Sequence, residues 1–152
     1  MNDQGLSAAA PADPSYPGER LGLPPDGPGA IAGWRLRAIA LVIDWFASAL
    51  VARFLFGYQW FGATAGEQGW RALTPILVFF VEASLLTPLL GGSFGQLIMR
   101  VNVVRLDGRP LGLLQAVVRS LLICLVIPPL VYNRDQRGLH DLATGAVTIR
   151  RR

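Results

Sequence analysis

Hydrophobic and polar positions in this 152-residue chain do not alternate; they segregate into blocks. Three apolar blocks, residues 38–56, 73–90 and 113–132, each come close to the ~20 residues a helix needs to cross a ~30 Å hydrocarbon layer. A helix on the surface of a water-soluble domain would carry one apolar stripe and one polar face instead. The blocks therefore predict a mainly α membrane protein with two to three transmembrane helices.

The flanks support this reading. Trp34, Arg35 and Arg37 precede the first block, and Arg53, Tyr58, Trp60 and Phe61 follow it. Aromatic rings and cations collect at membrane–water interfaces, and cations at the cytoplasmic one, so the first helix is expected to start inside the cell. A short loop returns the chain at Trp70, and the second block closes on Pro88 and Gly91-Gly92. The third block carries Gln115 and Arg119 on one face of its first half and is interrupted by Pro128-Pro129. Two courses are open to it: a full crossing, or a shallow segment that leaves both ends on one side. The arginines favour the second, because Arg100, Arg105 and Arg109 before it and Arg134, Arg137, Arg150, Arg151 and Arg152 after it all belong in the cytoplasm by the same rule.

Between the second and third blocks lies an insert of soluble character, residues 93–111. Ser93 is placed to cap a short turn containing Phe94, Leu97 and Ile98; Val101, Val103 and Val104 read as a strand, and Asp107-Gly108 is a hairpin turn signal. Residues 146–151 have the same strand character, and pairing them with residues 101–106 would satisfy both backbones. The expectation is a small cytoplasmic β-hairpin element. Residues 1–33 hold six of the eleven prolines and four acids against one arginine. So little apolar surface cannot offset the entropy of ordering, and the basic start and apolar core of a signal peptide are missing. This stretch is read as a disordered N-terminal tail, leaving residues 34–152 as the membrane domain.

Composition narrows the function classes. The net charge of +4 rests on arginine alone, and these arginines flank apolar blocks instead of interleaving with aromatics, so the bilayer is the expected partner and nucleic acid is not. The single cysteine, Cys124, lies inside the third block and excludes an intramolecular disulfide or a cysteine metal site. No phosphate loop, dinucleotide fingerprint, zinc spacing or nucleophile elbow occurs, so neither a cofactor nor an enzymatic activity is expected. His140 stands beside Asp141 with no nucleophile or metal ligand spaced to complete a set, which points to local hydrogen bonding.

Charges inside apolar blocks are costly and so are functional candidates. Asp44 lies seven residues beyond Arg37, about 10 Å along a helix, and Glu82 and Arg119 lie at comparable depths in their own blocks. Asp44, Glu82 and Arg119 are thus expected to meet. Such a cluster is either a proton or ion relay or a structural ion pair that fixes helix packing. Ala40, Ala47 and Ser48 make the same face of the first helix small and polar, so that face should point inward.

Arg37 and Asp44 entering the first helix, then Gly92-Ser93-Phe94-Gly95-Gln96 leading into the run 101–111, then Arg137-Gly138-Leu139-His140-Asp141, together resemble the RDD family of bacterial membrane proteins. The resemblance covers about residues 34–150. It implies that Arg37 is the family's arginine and Asp44 and Asp141 its two aspartates, and that the chain lies in the bacterial inner membrane. The family's biochemical role is largely undefined. The expected role is an accessory or interaction subunit with a protein partner or in a homo-oligomer; the alternative is an ion or proton transporter, or part of one, using Asp44 and Glu82. Two or three short helices can hardly enclose a path alone, which disfavours the alternative for a single copy.

Overall fold

The computed structural model of the chain describes residues 14–125, 133 and 135–151. Helix α1 runs from Trp34 to Phe56 without an interior Gly or Pro and stops at Gly57, which adopts the left-handed conformation (φ 71°) that closes a helix. A short helix α2 (Ala65–Gln68) and a 3₁₀ turn (Gly69–Leu73) lead into helix α3 (Thr74–Leu90). Pro75 sits in the first turn of α3, where its missing N–H costs nothing, and Gly91 (φ 90°) ends it. Two helical stretches, Trp34–Phe56 (23 residues) and Gly66–Leu90 (25 residues), are long and apolar enough to cross a membrane.

Their packing is inverted relative to a soluble bundle. The buried stripe of α1 is Arg37, Ala40, Asp44, Ser48 and Ala52, spaced three or four residues apart, while Val42, Trp45, Phe46, Leu50, Phe54 and Leu55 face outward. On α3, Thr74, Phe79, Ala83, Ser84 and Thr87 are buried and Leu77, Val81, Leu85 and Leu89 are exposed. Exposed apolar surface of that extent is untenable in water, whereas in lipid small and polar side chains make the better helix interface. Helix α5 (Leu113–Cys124) packs along α3 and buries Ala116, Arg119 and Ser120. Its 12 residues reach about 18 Å. Residues 126–132, the remainder of the third apolar block, lie outside the described residues.

The insert folds as helix α4 (Phe94–Ile98), N-capped at Ser93, and strand β1 (Val101–Arg105). Strand β2 (Ala146–Arg150) follows the short helix α6 (Leu139–Ala143) and pairs antiparallel with β1, Val101 opposite Arg150 and Arg105 opposite Ala146. The pairing returns the chain after α5 to the sheet from which it left. Two expectations need correction. The element is no local hairpin: Gly108 (φ 77°) makes a tight turn and Val104 bridges Pro110, but no strand follows, because proline has no N–H to extend a ladder. The partner of β1 is the one expected for it, the strand at residues 146–150. The N-terminal stretch is not a detached tail throughout, since Gly29 donates to the Arg150 carbonyl at 2.9 Å, Ala32 to that of Thr148 at 2.9 Å, and Arg150 to that of Ala30 at 2.8 Å. Ala30, Ile31 and Ala32 are buried, so this run covers the free edge of β2.

Candidate functional site

Four elements converge on one carboxylate. Gly138 opens α6, and any Cβ there would come within 2.4 Å of the His140 ring, so the tight backbone delivers Asp141 inward. Asp141 Oδ2 accepts from Arg37 Nη1 on α1 at 2.9 Å and from Thr148 Oγ1 on β2 at 3.0 Å; Oδ1 accepts from Arg119 Nε on α5 at 2.9 Å. His140 Nε2 lies 3.4 Å from the same Oδ1. Arg37 also donates from Nε to the Ala32 carbonyl at 2.9 Å and from Nη2 to that of Thr148 at 3.3 Å, stitching the N-terminal run and β2 to α1. Arg137 donates to the Ala146 carbonyl at 2.8 and 3.0 Å and holds the start of β2 against α6.

Asp141 is fully buried. Burial alone would push its carboxyl up, but the guanidinium of Arg119, with His140 and Arg37, outweighs that and holds it well below the usual carboxylate range. A depressed acid contributes stability that is fully present above its unfolded pKa, near ~3.9, and is lost as pH falls through the folded value. The difference in melting temperature between the wild type and Asp141→Asn is therefore expected to stay constant from about pH 5 to pH 8 and to narrow only below about pH 4. A difference that already collapses near pH 6 would show that the carboxylate is not held by these cations.

The second group of charges does a different job. Asp44 accepts from Ser93 Oγ at 2.6 Å and from the Gly95 N–H, and Glu82 accepts from the Phe94 N–H. Two carboxylates from the two long helices thus take up N–H groups at the start of α4, which a helix cannot satisfy itself. Gln96 Oε1 completes the cap by accepting the Ser93 N–H at 3.1 Å. Contact is this close because residue 95 is glycine: a Cβ would lie 2.1 Å from the Ala40 carbonyl oxygen.

Asp44, Glu82 and Arg119, expected to meet, take different hydrogen-bond partners. Asp44 and Glu82 share α4, and Arg119 pairs with Asp141. Arg119 and Asp44 nevertheless line one cavity of about 210 Å³. The partnership of Arg37 with Asp141, 104 residues apart, was invisible to spacing arguments, as was the burial of Arg137, which reads in sequence as a flanking charge. Among the described residues, no group of three or more His, Cys, Asp or Glu could hold a metal ion.

Lipid-facing apolar helices around a buried charge knot, with a small sheet locked to them, define a small helical membrane protein. The RDD family model matches residues 31–145, which include Arg37, Asp44 and Asp141, and the chain belongs to the RDD family. No curated protein and no solved structure matches it.

Proposed function

We propose that the protein is a non-enzymatic accessory or interaction subunit of the bacterial inner membrane, with its N-terminus, sheet and C-terminal end in the cytoplasm. The observation that carries this reading is a cleft of about 580 Å³ where α1 meets the sheet, lined by Trp34, Arg35, Arg100, Arg150 and Arg151. Four arginines from three separate segments share one open cleft beside an interfacial tryptophan, a surface suited to an acidic segment of a partner protein. The internal charges support the same reading, because both oxygens of Asp141 and of Asp44 are already engaged within the chain. The double substitution Arg150→Glu with Arg151→Glu is expected to remove a stoichiometric co-purifying partner while leaving membrane insertion and melting temperature unchanged. An unaltered set of co-purifying proteins would count against the cleft as the partner surface.

One observation favours the transport alternative. Glu82 Oε2, Ser84 Oγ and Thr87 Oγ1 are buried on α3 with no hydrogen-bond partner among the described residues. If this row carries protons or ions, proteoliposomes holding the wild type conduct and Glu82→Gln proteoliposomes do not, at equal protein content and folding. The accessory reading expects no flux from either.

A further inference from the structure

We propose that the chain binds one anionic phospholipid, with the phosphate at Arg119 and an acyl chain in the adjoining apolar groove between α1, α3 and α5. Arg119 is 2 % exposed, yet only its Nε is used, on Asp141. Its two terminal amino groups make no hydrogen bond among the described residues. A guanidinium carries five N–H donors in a fixed fork, so four point to acceptors that this part of the chain does not supply. Arg forks suit phosphate geometry, and hydrogen bonds from an ionised donor are about twice as strong as neutral ones.

The space beside it fits that ligand. The 210 Å³ cavity lined by Arg37, Asp44, Ser93, Gln96, Arg119 and His140 has room for about seven waters at ~30 Å³ each, and hence for a phosphate group. Its lining carries two guanidiniums and one carboxylate, and Asp141 pairs with both arginines, so it is the unused Arg119 amino groups and not an excess of positive charge that offer a phosphate its hydrogen bonds. Leu41, Phe79 and Ile123 form a shared wall with a second, almost wholly apolar cavity of about 340 Å³, which Trp45, Phe46 and Cys124 also line. Trp45 and Phe46 are exposed on the surface of α1 that faces lipid, so this groove opens to the bilayer. A soluble anion would fill only the first compartment and an uncharged lipid only the second. An anionic phospholipid matches both.

Native mass spectrometry of the full chain in mild detergent, titrated with phosphatidylglycerol or phosphatidylcholine of identical acyl chains, tests this. The expected result is a single phosphatidylglycerol adduct preferred about tenfold, the worth of one charge-assisted hydrogen bond. Cys124→Trp, which fills the groove without touching a charged residue, and Arg119→Lys, which keeps the charge at Asp141 but removes the fork, are each expected to abolish the preference, with circular dichroism reporting folding. Equal binding of the two lipids by the wild type would overturn the proposal whatever the variants do. So would a preference that survives in a folded Cys124→Trp protein, or displacement of all bound lipid by inorganic phosphate, which would mark a site for free anions.

Discussion

Asp141→Asn is expected to produce the largest loss of stability of any single conservative substitution in the chain. The asparagine has the size of the aspartate but not its charge, and it leaves Arg37 and Arg119, both buried, facing each other without a counterion. Removing one partner of a buried ion pair costs about 3–5 kcal/mol, and here two cations lose their partner together. Against a total stability of about 5–15 kcal/mol this is a large fraction. Thermal unfolding of the detergent-solubilised protein should shift down by about 10 °C or more, with a matching fall in membrane yield. Arg37 and Arg119 reach Asp141 from α1 and α5, so the substitution should also loosen the sheet from the membrane helices, seen as faster proteolysis near Arg150. A variant that melts within a degree or two of the wild type would show that the knot contributes no net stability.

Gly95→Val is the second. Even the first added carbon would sit 2.1 Å from the Ala40 carbonyl oxygen and 3.0 Å from Asp44 Cγ, both on α1. Neither can yield without bending a membrane helix, so α4 must move away. The expected cost combines about 1–3 kcal/mol of overpacking with about 1 kcal/mol from the lost Asp44 cap. Gly108→Ala is the matching control. Gly108, unlike Gly95, has a positive φ (77°), and a Cβ there would meet nothing within 4 Å, so only the backbone penalty of about 1–2 kcal/mol applies. If both substitutions shift the melting temperature equally, close packing of α4 on α1 is not what fixes residue 95.

Both effects turn on residues that the sequence could name but not connect. Asp44, Glu82 and Arg119 stand out because a charge in an apolar block is costly wherever it ends up, and that cost is readable without coordinates. Their partners were not readable. Depth along a helix gives a height in the membrane and no direction around the axis, so three charges at similar depth could form one cluster or two. The choice was made by α4, whose unsatisfied N–H groups drew Asp44 and Glu82, and by α6, which brought Asp141 to Arg119. The covering of the β2 edge by Ala30–Ala32 escaped for a related reason: one isoleucine between two alanines in a Pro- and Gly-rich stretch carries too little apolar surface to signal order until β2 supplies hydrogen-bond partners.

Sequence alone determined the membrane character, the two long helices, and the strand character of residues 101–105 and 146–150, because these follow from block length, interfacial flanks and β-branched runs, which are local. It also determined membership of the RDD family, through short motifs at fixed order. Only the tertiary structure decided which acid pairs with which base, that the turn at Gly108 opens no hairpin limb, and that Arg119 and Asp44 line one cavity. Ion pairing and cavity formation depend on distances between segments as far as 104 residues apart, and no periodicity along the chain encodes those distances.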